Sequence, residues 1–244
     1  MRLIERIIDE PREVAADYEE LWKNQIGKER FFYNEVRAEF NRNREPHYLL
    51  FLLARCVKAS VRYNSKGDFN QSPDNRRKGR MPSNMRGEIT RFSRLLKGKV
   101  RITTLDYREV LDKVRENDLV YIDPPYQGIC GGCDPRYASV ISSDRFLEQL
   151  RILSEKRIRF ILSYDGRMGE IKYGRELPDD LGLHRIEIEV GRSAQATLLG
   201  KNHTTYESIY LSGPLLDELR VLRIPVKENL KYYDNRQMFL IKNT

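Results

Sequence analysis

The chain has 244 residues, 40% of them hydrophobic and 33% charged, and its 44 basic residues exceed its 36 acidic ones, for a net charge of +8. The longest apolar stretch, residues 48–54, is far shorter than the roughly 20 residues that cross a bilayer, so no membrane span is predicted. Three cysteines do not form a disulfide framework, which favours a reducing cytoplasm, and the basic surplus favours a polyanionic partner.

The N-terminal quarter is predicted to be helical. Apolar residues between Leu3 and Trp22 recur at helical spacing, and Pro11 separates two helices there. The same spacing predicts helices at residues 31–40 and 47–57.

Residues 62–99 are polar and strongly basic. They contain eleven lysines and arginines against three acidic residues, a surplus equal to the net charge of the whole chain. This composition is typical of a segment that binds in a DNA groove, where cations contact phosphates, amides bond base edges and aromatic rings lie between bases. The alternative interpretation is a solvated linker. The candidate contacts within this run are Arg76, Arg77, Lys78, Arg80, Asn84 and Arg86.

The pattern after residue 99 is α/β. Strands are predicted at residues 100–105, 119–122 and 158–163, and helices at 107–115 and 143–156. The strand at 119–122 is continuously apolar, which is typical of a buried parallel strand. Alternation at residues 185–190 and 206–212 predicts an antiparallel pair, so the fold class is α/β with a doubly wound sheet and a mixed edge.

The sharpest motif is Asp123-Pro124-Pro125-Tyr126, directly after the apolar strand. Reactive groups collect beyond the carboxyl ends of strands in open α/β sheets. The two prolines fix the backbone and lack N–H donors, so a carboxylate, a carbonyl acceptor and an aromatic ring stand together. These groups suit an exocyclic amine, which donates its two hydrogens to Asp123 and the Pro124 carbonyl while Tyr126 stacks on the base.

This motif resembles the catalytic motif of the Dam-type DNA (adenine-N6) methyltransferases. Residues 62–70, Arg-Tyr-Asn-Ser-Lys-Gly-Asp-Phe-Asn, are similar to the R-x-N-x-x-G-x-F-N segment that opens the family's target-recognition region. Leu105-Asp106-Tyr107 matches an acidic-aromatic pair of the family, and residues 195–211 resemble the closing hairpin of its restriction-modification members.

The resemblance implies methyl transfer from S-adenosylmethionine to N6 of an adenine flipped out of double-stranded DNA, in a restriction-modification system and without a metal. It implies a Rossmann-like catalytic core at residues 1–29 and 100–244 and a helical target-recognition insert at 30–99. The implied catalytic residues are Asp123, Pro124, Pro125 and Tyr126, and the implied cofactor contacts are Asp106, Tyr107 and Asp123. The implied DNA contacts are Arg62, Asn64, Lys66, Asn70, Arg76, Arg77, Lys78, Arg80 and Asn84.

The family's glycine-rich F-x-G-x-G cofactor loop has no counterpart before Asp123, so the sheet is expected to be incomplete at its N-terminal side. A split enzyme with the loop on a second polypeptide and a truncated remnant are the two explanations. An inactive DNA-binding subunit is the alternative function, and methylation of cytosine N4, or of an RNA or protein amine, is a third. Cys130-Gly131-Gly132-Cys133 lacks the further ligands that zinc needs, so no metal site is predicted.

Overall fold

The computed structural model describes residues 2–124, 143–168, 171–173, 177–192, 204–227 and 229–231. The chain divides into two compact units, Met1–Leu105 and Asp106–Thr244.

The first unit is helical. Its helices are α1 (Arg2–Asp9), α2 (Pro11–Asn24), α3 (Glu29–Asn43), α4 (Pro46–Arg55) and α5 (Pro82–Leu96), with one 3-10 turn at Val57–Ala59. A proline in the first turn of α2, α4 and α5 has the backbone angle that a helix start requires, and its missing N–H costs no hydrogen bond there. The helices meet over an aromatic core that includes Tyr18, Tyr33, Phe51 and Phe69.

Helices α1 and α2 pack inside this helical unit. A second apolar cluster joins Val14 and Ala15 of α2 to Ile89 of α5, with Ile7 of α1 against it. The sequence analysis grouped residues 1–29 with the catalytic core, whereas their apolar faces are buried against α4 and α5. The predicted boundary between catalytic core and recognition insert, at residues 29 and 30, therefore does not coincide with the boundary between the two compact units. The assignment of residues 1–29 to the catalytic core remains a prediction.

The irregular segment between α4 and α5 is held by buried side chains. Gln25 donates a hydrogen bond of 2.8 Å to the Lys78 carbonyl, and the Tyr18 hydroxyl donates one of 2.7 Å to the Arg80 carbonyl. Arg55, only 2% exposed, donates to the Asp74 carbonyl at 3.3 Å. These bonds give the backbone of the basic segment fixed partners, so the alternative of a solvated linker is wrong.

The second unit is a mixed α/β sheet. Its helices are α6 (Tyr107–Leu111), α7 (Ser143–Glu155) and α8 (Gly213–Val221), with a 3-10 turn at Asp179–Leu181. Its strands are β1 (Leu119–Ile122), β2 (Arg159–Met168), β3 (Ile171–Tyr173), β4 (His184–Arg192), β5 (Thr204–Leu211) and β6 (Asn229–Lys231). The sheet order is β1-β2-β5-β4-β6, and β3 also pairs with β2.

The sheet has helices on both faces. Phe160 and Leu162 of β2 contact the core that contains Leu150 of α7, whereas Ile161 packs with Leu215 of α8 on the opposite face. Successive residues of a strand point to opposite faces of the sheet, so β2 contributes side chains to the apolar cores on both faces. The predicted α/β class and the antiparallel pair of β4 and β5 are confirmed.

Two predictions about strands are wrong. Residues 100–105 form no strand, and residues 119–122 form a half-exposed strand, not a buried one. Among the described residues β1 pairs only with β2, in parallel, and only its Val120 and Ile122 face pack on the core. No helix in the described ranges combines the length and apolar character needed to cross a membrane.

The turn at Gly79 provides a test of the packing in the first unit. Gly79 has φ +84°, and an added Cβ lies 3.1 Å from both Arg55 Cδ and the Tyr18 hydroxyl, whereas Gly67 has φ +79° and open space around the same position. We expect Gly67→Ala to lower the free energy of unfolding by about 1–2 kcal/mol, the cost of the left-handed backbone. Gly79→Ala should cost more because it also crowds two buried side chains. Urea denaturation of both variants measures the difference, and equal losses contradict the packing described.

Candidate active site

The carboxyl end of β1 positions the first residues of the Asp-Pro-Pro-Tyr motif. The parallel register pairs Ile122 with Leu162, so Asp123 is the first residue beyond the paired part of β1, level with Ser163 of β2. Asp123 is exposed and Pro124 is buried. Within the described part of the chain, Asp123 has no ion pair or hydrogen-bonded side chain, so its carboxylate is available to a ligand.

The solvent-facing side of β1 is apolar. Leu119 is 57% exposed and Tyr121 is 63% exposed, and both lie on the same face as Asp123 because alternate residues of a strand share a face. The strand edge away from β2 has no pairing partner among the described residues. An edge without a pairing partner in the described ranges, beside exposed apolar side chains, is typical of a surface that binds another strand or chain.

A polar cluster lies farther along β2. A bulge between Ser163 and Gly166 interrupts the pairing with β5, and Asp165 inside it has φ +55°. Asp165 is 5% exposed, and its Oδ2 accepts a hydrogen bond of 2.6 Å from the Tyr210 hydroxyl. Its Oδ1 accepts no hydrogen bond, although Arg185 lies 3.8 Å away. A buried carboxylate with one unbonded oxygen in a strained backbone is unusual outside functional sites.

This cluster extends across β4 and β5. The Arg185 guanidinium donates two hydrogen bonds to Ser208 Oγ, at 2.9 and 3.1 Å. Arg167 donates to both oxygens of Glu187, at 2.9 and 2.7 Å, and its guanidinium lies 3.6 Å from the centre of the Tyr206 ring. The hydrogen bonds that Arg167 donates to Glu187 raise the pKa of Arg167. Hydrogen bonds and ion pairs thus fix the side chains of Arg167, Glu187 and Arg185 on one face of the sheet.

Asp106 and Tyr107 serve the local fold in this structure. Asp106 caps α6 by accepting from the Arg108 N–H, and the Arg108 guanidinium bonds both of its oxygens, at 2.9 and 3.1 Å. These bonds lower the pKa of Asp106 to about 2. Tyr107 packs edge-on against Phe146, with 6.3 Å between the ring centres. The Asp106 side chain is still 42% exposed, so a ligand can also reach this carboxylate, and the predicted cofactor contact at Asp106 and Tyr107 remains a prediction.

Asp123 and Pro124 at the end of β1 offer acceptors that suit an amine substrate. The predicted cofactor, S-adenosylmethionine, also needs a glycine-rich loop, for which the described residues offer no counterpart. No strand precedes β1 in the described ranges, so the described residues before Asp123 contain no strand-to-glycine-loop unit. They also contain no group of three or more His, Cys, Asp or Glu side chains able to hold a metal.

The segment similar to R-x-N-x-x-G-x-F-N forms a tight hairpin. Tyr63 bridges to Phe69, and the Asn64 side-chain oxygen accepts from the N–H groups of Lys66 and Asp68, at 2.9 and 2.8 Å. Phe69 is 1% exposed, and Asn41 bonds both its N–H and its carbonyl. Asn64 thus shapes the turn, and the predicted DNA contacts Arg62, Lys66 and Asn70 are among the side chains that the hairpin presents to solvent.

Four of the predicted DNA-contacting cations are already in ion pairs. Asp74 is close to Arg76 at 3.1 Å and to Arg77 at 3.8 Å. The remaining pairs are Lys78 with Glu29, at 2.9 Å, and Arg80 with Glu88. The Lys78 hydrogen bond lowers the pKa of Glu29 to about 2. Asn84 is exposed in the first turn of α5.

Several predicted features lie outside the described residues. They are Pro125 and Tyr126 of the motif, the Cys130–Cys133 pair, and the loop at residues 193–203.

Comparison with known families decides the identity of the chain. Residues 1–192 match the model of the D12 class N6 adenine-specific DNA methyltransferases. The chain belongs to this family. The match includes Asp123 and Pro124 at the end of β1, the hairpin at residues 62–70 and the Asp106-Tyr107 pair, whereas residues 195–211, which also carried the resemblance, lie beyond it.

Two characterised proteins are similar over part of the chain. The type II methyltransferase M.MjaIII of Methanocaldococcus jannaschii is 30% identical over 131 residues, which are 51% of this chain and 43% of that protein. The retron Ec67 DNA adenine methylase of Escherichia coli is 27% identical over 132 residues, 50% of this chain and 45% of that protein. The matched region thus covers less than half of each relative.

The sequence analysis missed the Asp165 cluster, although a signal for it exists. Ser163-Tyr164-Asp165-Gly166 places polar residues and a glycine at the end of an apolar strand, the same context that singled out Asp123. The neighbouring parallel strand β1 ends at the same sheet edge, which is where the family is expected to carry out its chemistry.

The hydrogen bond between Tyr210 and Asp165 is open to a direct test. Tyr210→Phe removes the only donor within the described part of the chain that bonds the Asp165 carboxylate directly. We expect the free energy of unfolding to fall by about 1.5–3 kcal/mol, as for hydrogen bonds to charged groups. Tyr121→Phe is the matched control, since Tyr121 is 63% exposed, and should cost almost nothing. Equal unfolding curves for both variants and the wild-type chain contradict the bond's contribution.

Proposed function

We propose that the chain carries the amine-binding and DNA-binding parts of an adenine-specific DNA methyltransferase that uses S-adenosylmethionine. The observation that carries the proposal is the exposed Asp123 carboxylate, next to buried Pro124 at the end of β1, in a chain of the D12 family. Both relatives are named as methyltransferases, and one is named as acting on adenine in DNA.

Asp123 and Pro124 act on the target amine by orienting it. An exocyclic amine has two hydrogens, and a carboxylate and a proline carbonyl offer two acceptors with no competing backbone donor at Pro124. Amine hydrogens held in this way direct the nitrogen lone pair out of the base plane. S-adenosylmethionine, when bound, supplies an electrophilic methyl group on a sulfonium. Catalysis then rests on positioning the lone pair before that methyl group.

We also propose that the glycine-rich cofactor loop comes from a second polypeptide or from a segment outside these 244 residues. The open edge of β1 and its apolar face at Leu119 and Tyr121 support this proposal, because they suit one further strand and the element that covers it. The alternative, a DNA-binding subunit without activity of its own, shares the same DNA-binding residues and differs only in the absence of methyl transfer.

The biological setting is a proposal as well. A restriction-modification system is supported by the relative named as a type II methyltransferase, whereas the other relative is named as part of a retron. We propose a cytoplasmic site of action, which the three cysteines of the chain support because they do not form a disulfide framework.

Replacing Asp123 tests the amine-binding site. In a mixture of this chain with the product of the reading frame immediately upstream, Asp123→Ala should abolish methyl transfer from labelled S-adenosylmethionine to unmethylated genomic DNA, because N6 loses an acceptor. Binding of the same DNA should stay within a few-fold, since the phosphate contacts remain. Asp112→Ala removes an equally exposed carboxylate after α6 and serves as the control. Activity that survives in the Asp123 variant overturns the assignment of this residue.

The open β1 edge has its own test. We expect methyl transfer only when the product of the reading frame immediately upstream is added to this chain. Leu119→Lys with Tyr121→Lys should abolish that complementation while preserving the fold, because both side chains are more than half exposed. Val221→Lys on α8, where the valine is 81% exposed, is the matched control.

The complementation assay separates the alternatives. Full activity of this chain alone contradicts the second-polypeptide proposal. DNA binding without methyl transfer under either condition supports the inactive subunit.

A further inference from the structure

Helix α5 has one face committed to the helical core. Ile89 is 3% exposed and contacts the cluster of Val14 and Ala15. Ser93 is 5% exposed, and its hydroxyl donates a hydrogen bond of 2.6 Å to the Ile8 carbonyl. These contacts fix the rotation of α5 about its own axis.

The opposite face of α5 is turned to solvent. Successive residues of an α-helix are rotated by about 100°, which places positions 84, 87, 91, 94 and 95 on the side away from Ile89 and Ser93. All five positions are exposed. The face, called here the α5 outer face, consists of Asn84, Gly87, Arg91, Arg94 and Leu95.

The cations of this face differ from Arg80 and Arg86, the two basic residues next to them along the chain on the N-terminal side. Arg80 pairs with Glu88, and Arg86 pairs with Glu19 at 2.5 Å. Arg91 and Arg94 have no ion pair with any residue in the described ranges. From position 82 to position 99 the chain has five basic residues and one acidic residue, and that acid, Glu88, is already paired. The positive charge of the outer face is therefore available to an external anion.

Gly87 has no explanation within the fold. It lies in the middle of α5 with ordinary helical φ, and a Cβ added to it meets nothing within 4 Å. Glycine weakens the interior of a helix relative to alanine, and neither backbone strain nor close packing calls for it here. A glycine on an open helix surface permits the close approach of something outside the chain.

We propose that the α5 outer face enters the major groove of the target duplex, with Gly87 at the closest approach and Arg91 and Arg94 against the DNA. This inference rests on the proposed function, because it takes double-stranded DNA as the ligand. An α-helix about 10–12 Å in diameter fits a major groove about 12 Å wide. Asn84 and Arg91 are about 10.5 Å apart along the helix, which corresponds to about three base pairs.

The residue types of the face suit that role. Asparagine bonds two adenine atoms in the major groove, and arginine bonds two guanine atoms there or a phosphate. The predicted contacts on the preceding segment include four cations in ion pairs, so the outer face adds two unpaired cations to the proposed DNA-binding surface.

The test measures DNA binding of the full chain by fluorescence anisotropy, on a labelled duplex that the wild-type chain selects from a randomised pool. Gly87→Gln should weaken binding at least tenfold, because a long side chain then fills the space of closest approach. Gly87→Ala should weaken it less while raising the melting temperature. Ala16→Gln places the same side chain on the exposed surface of α2 and should stay within twofold of wild type.

The arginines supply a second readout. Removing one phosphate contact lowers the slope of log affinity against log salt by about 0.9. We expect that loss, or a selective loss of guanine N7 protection from dimethyl sulfate, for Arg91→Ala and Arg94→Ala. Arg30→Ala, an exposed arginine of α3 without an ion pair in the described ranges, should change neither.

The outcomes distinguish the two proposals. Wild-type chain that binds no duplex contradicts the proposed function and this inference together. Wild-type binding that Gly87→Gln leaves unchanged overturns only the inference about the α5 outer face.

Discussion

The parallel register between β1 and β2 determines where the chain leaves the sheet in the second unit. Because Ile122 pairs with Leu162, Asp123 emerges at the sheet edge beside Ser163, and buried Pro124 anchors the chain immediately after it. The exposed carboxylate thus has a rigid base, which an orienting role requires. The same strand lacks a partner on its other edge among the described residues, so the strand that we propose to position the substrate also offers an open edge to a neighbouring strand.

Some cations of the basic segment, residues 62–99, form ion pairs within the fold, and others are available to a ligand. Asp74, Glu29 and Glu88 hold the arginines and lysine at positions 76, 77, 78 and 80, and Asn64 shapes the hairpin turn. These contacts order a segment with little apolar content. Lys66 on the hairpin tip and Arg91 and Arg94 on the α5 outer face have no ion pair within the part of the chain that the structure describes, so DNA can reach them without breaking one there.

Much of the fold could be predicted because its signals are local. The apolar run at Leu119–Ile122 and the alternation of β4 and β5 predict strands where the structure has them. The strand expected at residues 100–105 is absent, because a short apolar alternation needs a pairing partner that local sequence does not reveal. Helix α5 buries so few apolar residues that its periodicity is hidden within the basic run. The Asp165 cluster depends on a bulge and on contacts across three strands, which only the folded sheet displays.

The identity of the methylated base tests the central claim most directly. DNA treated with S-adenosylmethionine and this chain, together with its upstream polypeptide, is digested to nucleosides and analysed by mass spectrometry. The account predicts N6-methyladenine as the product, because Asp123 and Pro124 hold an exocyclic amine in a chain of the D12 family. N4-methylcytosine as the product, or unmodified DNA from a preparation that binds the duplex, contradicts it.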